Sequence, residues 1–461
     1  MQIQAGSEAG RLGERLDALS GRAGIWRLVG LLSLGGCFEF YDLFLTGYLS
    51  PGLERAGIFH AQGIIFGLPD QAGFAAVTFA GLFVGTLAFG QVADRYGRRT
   101  VFTASLLWYS ATTILMALQS SAAGVDLWRF MAGIGIGVEL VTIDTYLAEL
   151  LPPRVRGRAF AVNQAIQFTA VPLVALLCAV LLNTRPLGLD GWRWVVLIGA
   201  SGALCIWQLR RRLPESPRWL LQQGRAAEAW SVVQTLERRS GVMAPAPSPV
   251  ARDAVAGPAA GRLTEIFQRP LLGITLMLSV FNFFQTVGFY GFGNWVPKLI
   301  ESGGASLVQS LNYSVAIAIA YPAGPLLCLL IADRFERKWQ IVAAAVGTAA
   351  FGLLFVRQHS AVALIACGML ITLCNNLLSY AYHAYQSELY PTRVRARAVG
   401  FVYAWSRLST VFTSLMIGWV LGHFGTGGVF TFIAASMGVV CVCIGGFGPK
   451  TRGLSLERIA S

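Results

Sequence analysis

The chain has 461 residues, 55% of them hydrophobic and 13% charged, with a formal net charge of +13. An average soluble protein carries ~25% charged residues, so this chain has too little charge to clothe a water-facing surface. The basic excess does not indicate nucleic acid, because the arginines sit in short loops between long apolar runs.

Residues 1–24 are polar and are expected to be a cytoplasmic tail; the apolar run after them is too long for a cleaved signal sequence. Residues 25–209 are expected to hold six spans. Runs such as 25–48, 72–92 and 101–118 are each long enough to cross a hydrocarbon core of ~30 Å. Lipid offers no partners to backbone groups, and the runs lack the alternation of barrel strands, so helices are expected. Residues 210–270 form the longest polar stretch. An amphipathic segment at 225–239 and a Pro/Ala/Ser-rich connector at 244–260 read as a cytoplasmic linker with short helices. Residues 271–448 are expected to hold six more spans, and 449–461 a second cytoplasmic tail.

Arginine clusters mark alternate loops: Arg95, Arg98 and Arg99; Arg154, Arg156 and Arg158; Arg210 to Arg212; Arg334 and Arg337; Arg393, Arg395 and Arg397. Their bias places both termini in the cytoplasm and requires an even number of spans. Two loops also repeat. The Glu-Leu-x-Pro-x-Arg-Val-Arg segment at Glu149 returns at Glu388, and Asp94-Arg95 returns at Asp333-Arg334; both offsets are 239 (388 − 149 and 333 − 94). The expected fold is therefore an all-α membrane protein: twelve transmembrane helices in two pseudo-symmetric six-helix halves, with substrate bound between them. The eight cysteines lie mostly inside apolar runs and read as packing thiols. No metal cluster, nucleophile elbow or phosphate loop is present in the sequence, so neither a cofactor nor an enzymatic activity is expected.

Ionisable groups in mid-span cost ~2.5–3.5 kcal/mol on insertion scales and are functional candidates by default. Here they are Glu39 and Asp42 in the first span, Arg129, Glu139 and Asp144 in the fourth, His383 in the tenth and Arg407 in the eleventh. The first and fourth spans run in opposite directions, so Asp42 and Arg129 can share a depth. At ~3.6 residues per turn Asp144 returns to within about 60° of Arg129, and Glu139 points about 80° to the other side. Either acid lines the cavity or is tied to a neighbouring helix. Gln164 and Gln167, Asn282 and Gln285, and the stripe Asn376, Tyr380 and His383 add polar faces. Each is a candidate for substrate binding or for interhelical glue.

The motifs together resemble the major facilitator superfamily, in its sugar-porter-like branch, over essentially the whole chain. Gly90-Gln-Val-Ala-Asp94-Arg95-Tyr-Gly97-Arg98-Arg99 is similar to the signature loop between helices 2 and 3. Pro214-Glu215-Ser216-Pro217-Arg218 is similar to the motif after helix 6, and Pro449-Lys450-Thr-Arg-Gly453 to the C-terminal signature, with Lys450 where a Glu is usual. The resemblance implies a gate of carboxylate–guanidinium pairs at the cytoplasmic face, for which Asp94, Arg98, Glu149, Arg158, Asp333, Glu388 and Arg397 stand; the alternative is that these charges set topology alone. It implies that Asp42, which follows Tyr41, and Arg129 are the proton-coupling pair; the alternative is a static salt bridge. Glu39, three residues before Asp42, is a second proton site or the true one, and Tyr41 is a candidate for substrate binding. It places Gln164 where a substrate-binding Gln is found.

The departures carry as much information. Leu329 and Glu336 replace the glycines of the first signature loop, so the second copy is expected to be more loosely locked. Phe284 and Tyr290 interrupt the helix 7 sugar pattern, and His383 stands where a sugar-stacking Trp is usual. Arg407 stands where an aromatic residue is frequent in sugar porters; an Arg there resembles organic-anion and niacin-type carriers, and a guanidinium in a dry cavity suits a carboxylate; pairing to an acid of the protein is the alternative. The expected function is proton-coupled symport of a small organic acid, aromatic acids included, by alternating access. A proton-linked sugar or polyol porter is the alternative, ahead of drug-like efflux or a non-transporting sensor. The expected setting is a bacterial inner membrane, and the expected partners are lipid, a small substrate and protons, for a monomeric chain.

Overall fold

The computed structural model describes residues 11–12, 14–15, 23–60, 63, 67–89, 96–150, 153–210, 213–240, 263–331, 335–391 and 394–451. Among these the regular elements are helical. The first half holds α1 (Ala23–Arg55), α2 (Asp70–Phe89), α3 (Arg98–Ala117), α4 (Ala122–Leu150), α5 (Pro153–Phe168), α6 (Ala170–Leu181) and α7 (Gly191–Arg210). Two surface helices follow, α8 (Pro217–Gln222) and α9 (Ala226–Ser240). The second half holds α10 (Leu271–Gly293), α11 (Val296–Ser302), α12 (Leu307–Ala318), α13 (Ala320–Ile331), α14 (Arg337–Phe355), α15 (Ala361–Glu388) and α16 (Arg395–Val442).

Nine helical stretches among the described residues are long and apolar enough to cross a membrane. The last of them, Arg397–Phe447, holds two spans, and α4 and α7 complete twelve. Two spans are broken in the middle for one reason. Pro172 lacks the N–H that would reach the Phe168 carbonyl, and α5 ends at Phe168; Pro322 stands four residues after Ala318, where α12 ends. Within α16 the turn between spans falls at Gly425, with φ 64° and ψ −167°. That region is open to glycine almost alone and costs any other residue ~1–3 kcal/mol. Gly425→Ala is therefore expected to lower the thermal transition of the detergent-solubilised protein, with no change in substrate affinity at temperatures where it stays folded.

Each half has its own apolar core. One is built on Tyr41, Phe44, Tyr48, Phe74, Tyr109, Cys178 and Trp192, the other on Phe281, Phe292, Ile341, Tyr382, Tyr385 and Phe430. Glycines let α2 and α4 approach closely: a Cβ on Gly81, Gly85, Gly133 or Gly137 would run into backbone of the facing helix.

The residues that lead into α3 and α14 are held by different chemistry. Gly97, at φ 95°, leads into α3, and the Glu215 carboxylate accepts the Arg99 N–H at 3.1 Å. A Cβ on Gly97 would lie 2.5 Å from Glu215 Oε2, so this position requires glycine for both backbone and space. In the second copy Glu336 leads into α14 at φ −60°, where any residue fits. Its carboxylate accepts the Thr451 N–H at 2.9 Å, while Lys338 Nζ donates to Gly448 O and the Tyr385 hydroxyl to Pro449 O, both at 2.7 Å. Where the first copy has a tight glycine turn, Glu336 thus takes hold of the C-terminal segment through Thr451.

Candidate functional site

The close α2–α4 contact sets Arg129 beside Thr78, and α1 supplies the rest of its surroundings. Arg129 Nη1 donates to Asp42 Oδ2 at 2.5 Å and Nη2 to the Asp42 carbonyl at 2.5 Å. Nη2 also donates to Thr46 at 2.6 Å, and Nε to Thr78 at 3.0 Å. The guanidinium lies over the Phe74 ring, 5.3 Å from its centroid. Both charged side chains are wholly buried. Breaking such a pair by removing one partner costs ~3–5 kcal/mol, because a charge is left in a medium that cannot solvate it. The Asp42 carboxylate is not saturated: Oδ1 is buried with no hydrogen-bond partner. Thr46, one turn beyond Asp42, was legible from i, i+4 spacing; Thr78 was not, because it comes from another helix.

The second half carries a complementary cluster. Arg407 is 6% exposed. Its Nη1 donates to the Tyr290 hydroxyl at 3.1 Å and its Nη2 to the Tyr403 hydroxyl at 3.0 Å, with the Tyr403 ring 5.0 Å from its Cζ. Among the described residues no carboxylate pairs with it. Tyr403 precedes Arg407 by one helical turn, and His383 meets the same ring with centroids 5.5 Å apart. His383 is exposed at the edge of this cluster and is anchored through Nδ1 to Ser379 O at 2.7 Å. From Tyr290 an aromatic layer crosses between the halves: Tyr290 to Phe79 at 4.8 Å, Phe289 to Phe168 at 6.3 Å, and Phe44 to Tyr321 at 4.9 Å.

The family whose description is "Sugar (and other) transporter" matches residues 29–461. The chain belongs to the sugar (and other) transporter family. It is 31% identical over 443 residues to YyaJ of Bacillus subtilis, a protein named for metabolite transport, covering 95% of each chain. It is 27% identical over 441 residues to the niacin transporter NiaP of Acinetobacter baylyi, covering 94% of this chain and 96% of that one. Its fold matches the xylose transporter XylE of Escherichia coli, in a partially occluded inward open conformation, with a TM-score of 0.74 and 19% identity over 94% of this chain and 99% of that one. The protein is a secondary transporter of the sugar and metabolite type with the major facilitator fold, a multi-pass protein of the cell membrane acting on small molecules; it is not an enzyme.

Within this sugar (and other) transporter fold, the remaining residues singled out in the sequence divide by what they touch. Tyr41, 100° around α1 from Asp42, turns away from the Arg129 pair: its hydroxyl donates to Val195 O on α7 at 2.8 Å. Asn376 donates to Tyr321 O at 3.2 Å and Asn282 to Leu278 O at 2.9 Å, so both amides bind backbone. Gln285 donates to Ser406, the neighbour of Arg407, at 3.3 Å. Gln167 is buried against Gly36 of α1, whereas Gln164 and Tyr380 are half-buried. Glu39 and Glu139 are buried, at 1% and 0% exposure. Glu388 pairs with Arg337 of its own half at 2.7 Å, while Arg158 and Arg397 are exposed. Asp94 and Asp333 lie outside the described residues, as do the side chains of Arg98, Asp144 and Glu149.

Sequence reasoning missed the closure at the end of the bundle where α1 finishes and α11 begins. There α1 meets α10 so closely that a Cβ on Gly47 would strike the Asn294 backbone. Beyond it Lys298 bridges Glu54 of the first half at 2.7 Å and Glu301 at 3.4 Å. The pair is partly solvated and worth ~0–1 kcal/mol. Lys298→Ala is expected to raise deuterium uptake at the C-terminal end of α1 and in α11, and the charge swap Glu54→Lys with Lys298→Glu to restore protection.

Proposed function

We propose that this transporter moves a small aromatic carboxylate together with protons, by alternating access. The observation that carries the reading is Arg407. A buried guanidinium that donates to two tyrosine hydroxyls is costly unless an anion joins it. A carboxylate in the fork of Arg407 would leave its ring against Tyr290 and Phe289, which stack edge to face with centroids 5.0 Å apart. A relative named for niacin, itself an aromatic carboxylate, agrees with this chemistry. Asp42 and Arg129 are the coupling pair: protonation of Asp42 releases Arg129, and deprotonation restores the contact. With the termini and the Arg-rich loops cytoplasmic, the Glu54–Lys298 closure lies outside, and the described state faces inward. The chain works as a monomer.

The test is uptake into proteoliposomes of labelled nicotinate, benzoate, xylose and inositol, with and without an inward proton gradient, against protein-free liposomes. Gradient-dependent accumulation of an aromatic acid is expected. Accumulation that ignores the gradient would overturn the symport; accumulation of the sugars instead would overturn the carboxylate.

A further inference from the structure

We propose that His383 selects aromatic acids that carry a hydrogen-bond donor, a hydroxyl or an amino group, on the ring edge away from the carboxylate. The proposal rests on the reading of Arg407 as the carboxylate site and narrows the substrate class that reading leaves open.

The tautomer follows from one contact. His383 Nδ1 lies 2.7 Å from the Ser379 carbonyl oxygen, one turn back on α15. A carbonyl oxygen accepts and never donates, so Nδ1 carries the hydrogen. In the uncharged imidazole Nε2 is then an acceptor. The ring is held in place by its neighbours: it packs on Tyr382 with centroids 4.1 Å apart and on Tyr403 of α16 at 5.5 Å. With Nδ1 turned back to its own helix, Nε2 on the far edge of the ring points away from α15. His383 is exposed where Ala381, Tyr382 and Tyr385 beside it are buried, and among the described residues Nε2 makes no hydrogen bond.

Tyr403 joins this open acceptor to the anion site. Its ring meets His383 and also lies 5.0 Å from Arg407 Cζ, and its hydroxyl accepts from Arg407 Nη2 at 3.0 Å. Arg407 and His383 thus share one phenol as neighbour, and a ligand of about that size lying along it meets both. The two ends ask for opposite chemistry. Arg407 offers only donors and Nε2 only a lone pair. A carboxylate at one end of a ring and a hydroxyl or amine at the other satisfies both. A pyridine nitrogen is itself an acceptor and gains nothing at Nε2, so nicotinate is expected to bind no better than benzoate.

The experiment measures displacement of labelled benzoate from the detergent-solubilised full-length chain by 3- and 4-hydroxybenzoate, their methyl ethers, nicotinate and isophthalate. One hydroxybenzoate is expected to compete about tenfold better than its methyl ether, the effect of one neutral hydrogen bond. The ether keeps the oxygen and loses the donor, and this comparison needs no variant. His383→Phe keeps a flat ring against Tyr382 and Tyr403 and is expected to bring that ratio to about one, whatever it does to each affinity. His383→Gln, whose amide oxygen accepts, is expected to keep part of the preference. A wild type that prefers neither hydroxybenzoate, or a preference that survives His383→Phe, overturns the proposal. Tighter binding of isophthalate than of either hydroxybenzoate also overturns it, because a second carboxylate calls for a charged His383. If no aromatic acid binds, the carboxylate reading of Arg407 itself falls, an outcome distinct from aromatic acids that bind without discrimination.

Discussion

Arg407→Ala lowers carboxylate affinity about a hundredfold, the expected result of losing two charge-assisted hydrogen bonds at ~1.5 kcal/mol each. The cause is specific. In the free protein the guanidinium is held by Tyr290 and Tyr403 through neutral hydroxyls, and no carboxylate of the described residues competes for it. Its removal should not unbalance a protein ion pair, so folding is expected to survive. Arg407→Lys keeps the charge and loses the planar fork, and an intermediate affinity is expected. Isothermal titration with a labelled aromatic acid and with its amide separates the cases. A loss confined to the acid supports anion binding; an equal loss for acid and amide means that Arg407 merely holds Tyr290 and Tyr403 in place.

Asp42→Asn is expected to abolish gradient-driven accumulation while counterflow persists. The amide keeps an oxygen for Arg129 Nη1, and the Asp42 main-chain carbonyl still accepts Nη2, so geometry is largely retained. What is lost is the carboxyl group proposed to gain and release the proton. The Arg129 charge then stays buried without its anion, a penalty of up to ~3–5 kcal/mol that Thr46, Thr78 and the Phe74 face offset only in part. Lower yield is expected, and Arg129→Ala, which strands the Asp42 carboxylate instead, should express less well again. Persisting accumulation in Asp42→Asn would move the proton site to Glu39, one turn away on α1.

The fold was legible because its causes are local and repetitive. Long apolar runs, alternate basic loops and an offset of 239 between two loops are each visible in one dimension. The Asp42–Arg129 contact was legible because helix direction and position fix depth. What could not be read is what depends on facing helices. Tyr41 adjoins Asp42 in sequence but points at α7, since consecutive helical residues stand 100° apart. Asn376 was on the right stripe, yet it answers the Tyr321 carbonyl, which Pro325 on another helix leaves without its helical N–H. Tyr290 figured only as a damaged sugar motif, and the structure makes it a partner of Arg407.

The C-terminal segment bears on how portable the parts of this chain are. In the first half the acid belongs to the loop after the sixth span and the glycine to the signature turn; in the second half the acid is Glu336, on the turn itself, and its partner is the main chain of the tail. Turn and tail have thereby become a matched set. A chimaera carrying the more usual tail, with Glu in place of Lys450, would bring a second carboxylate next to the one that grips Thr451, and restoring glycine at 336 alone would leave the tail without that grip. The two positions are therefore expected to tolerate exchange only together.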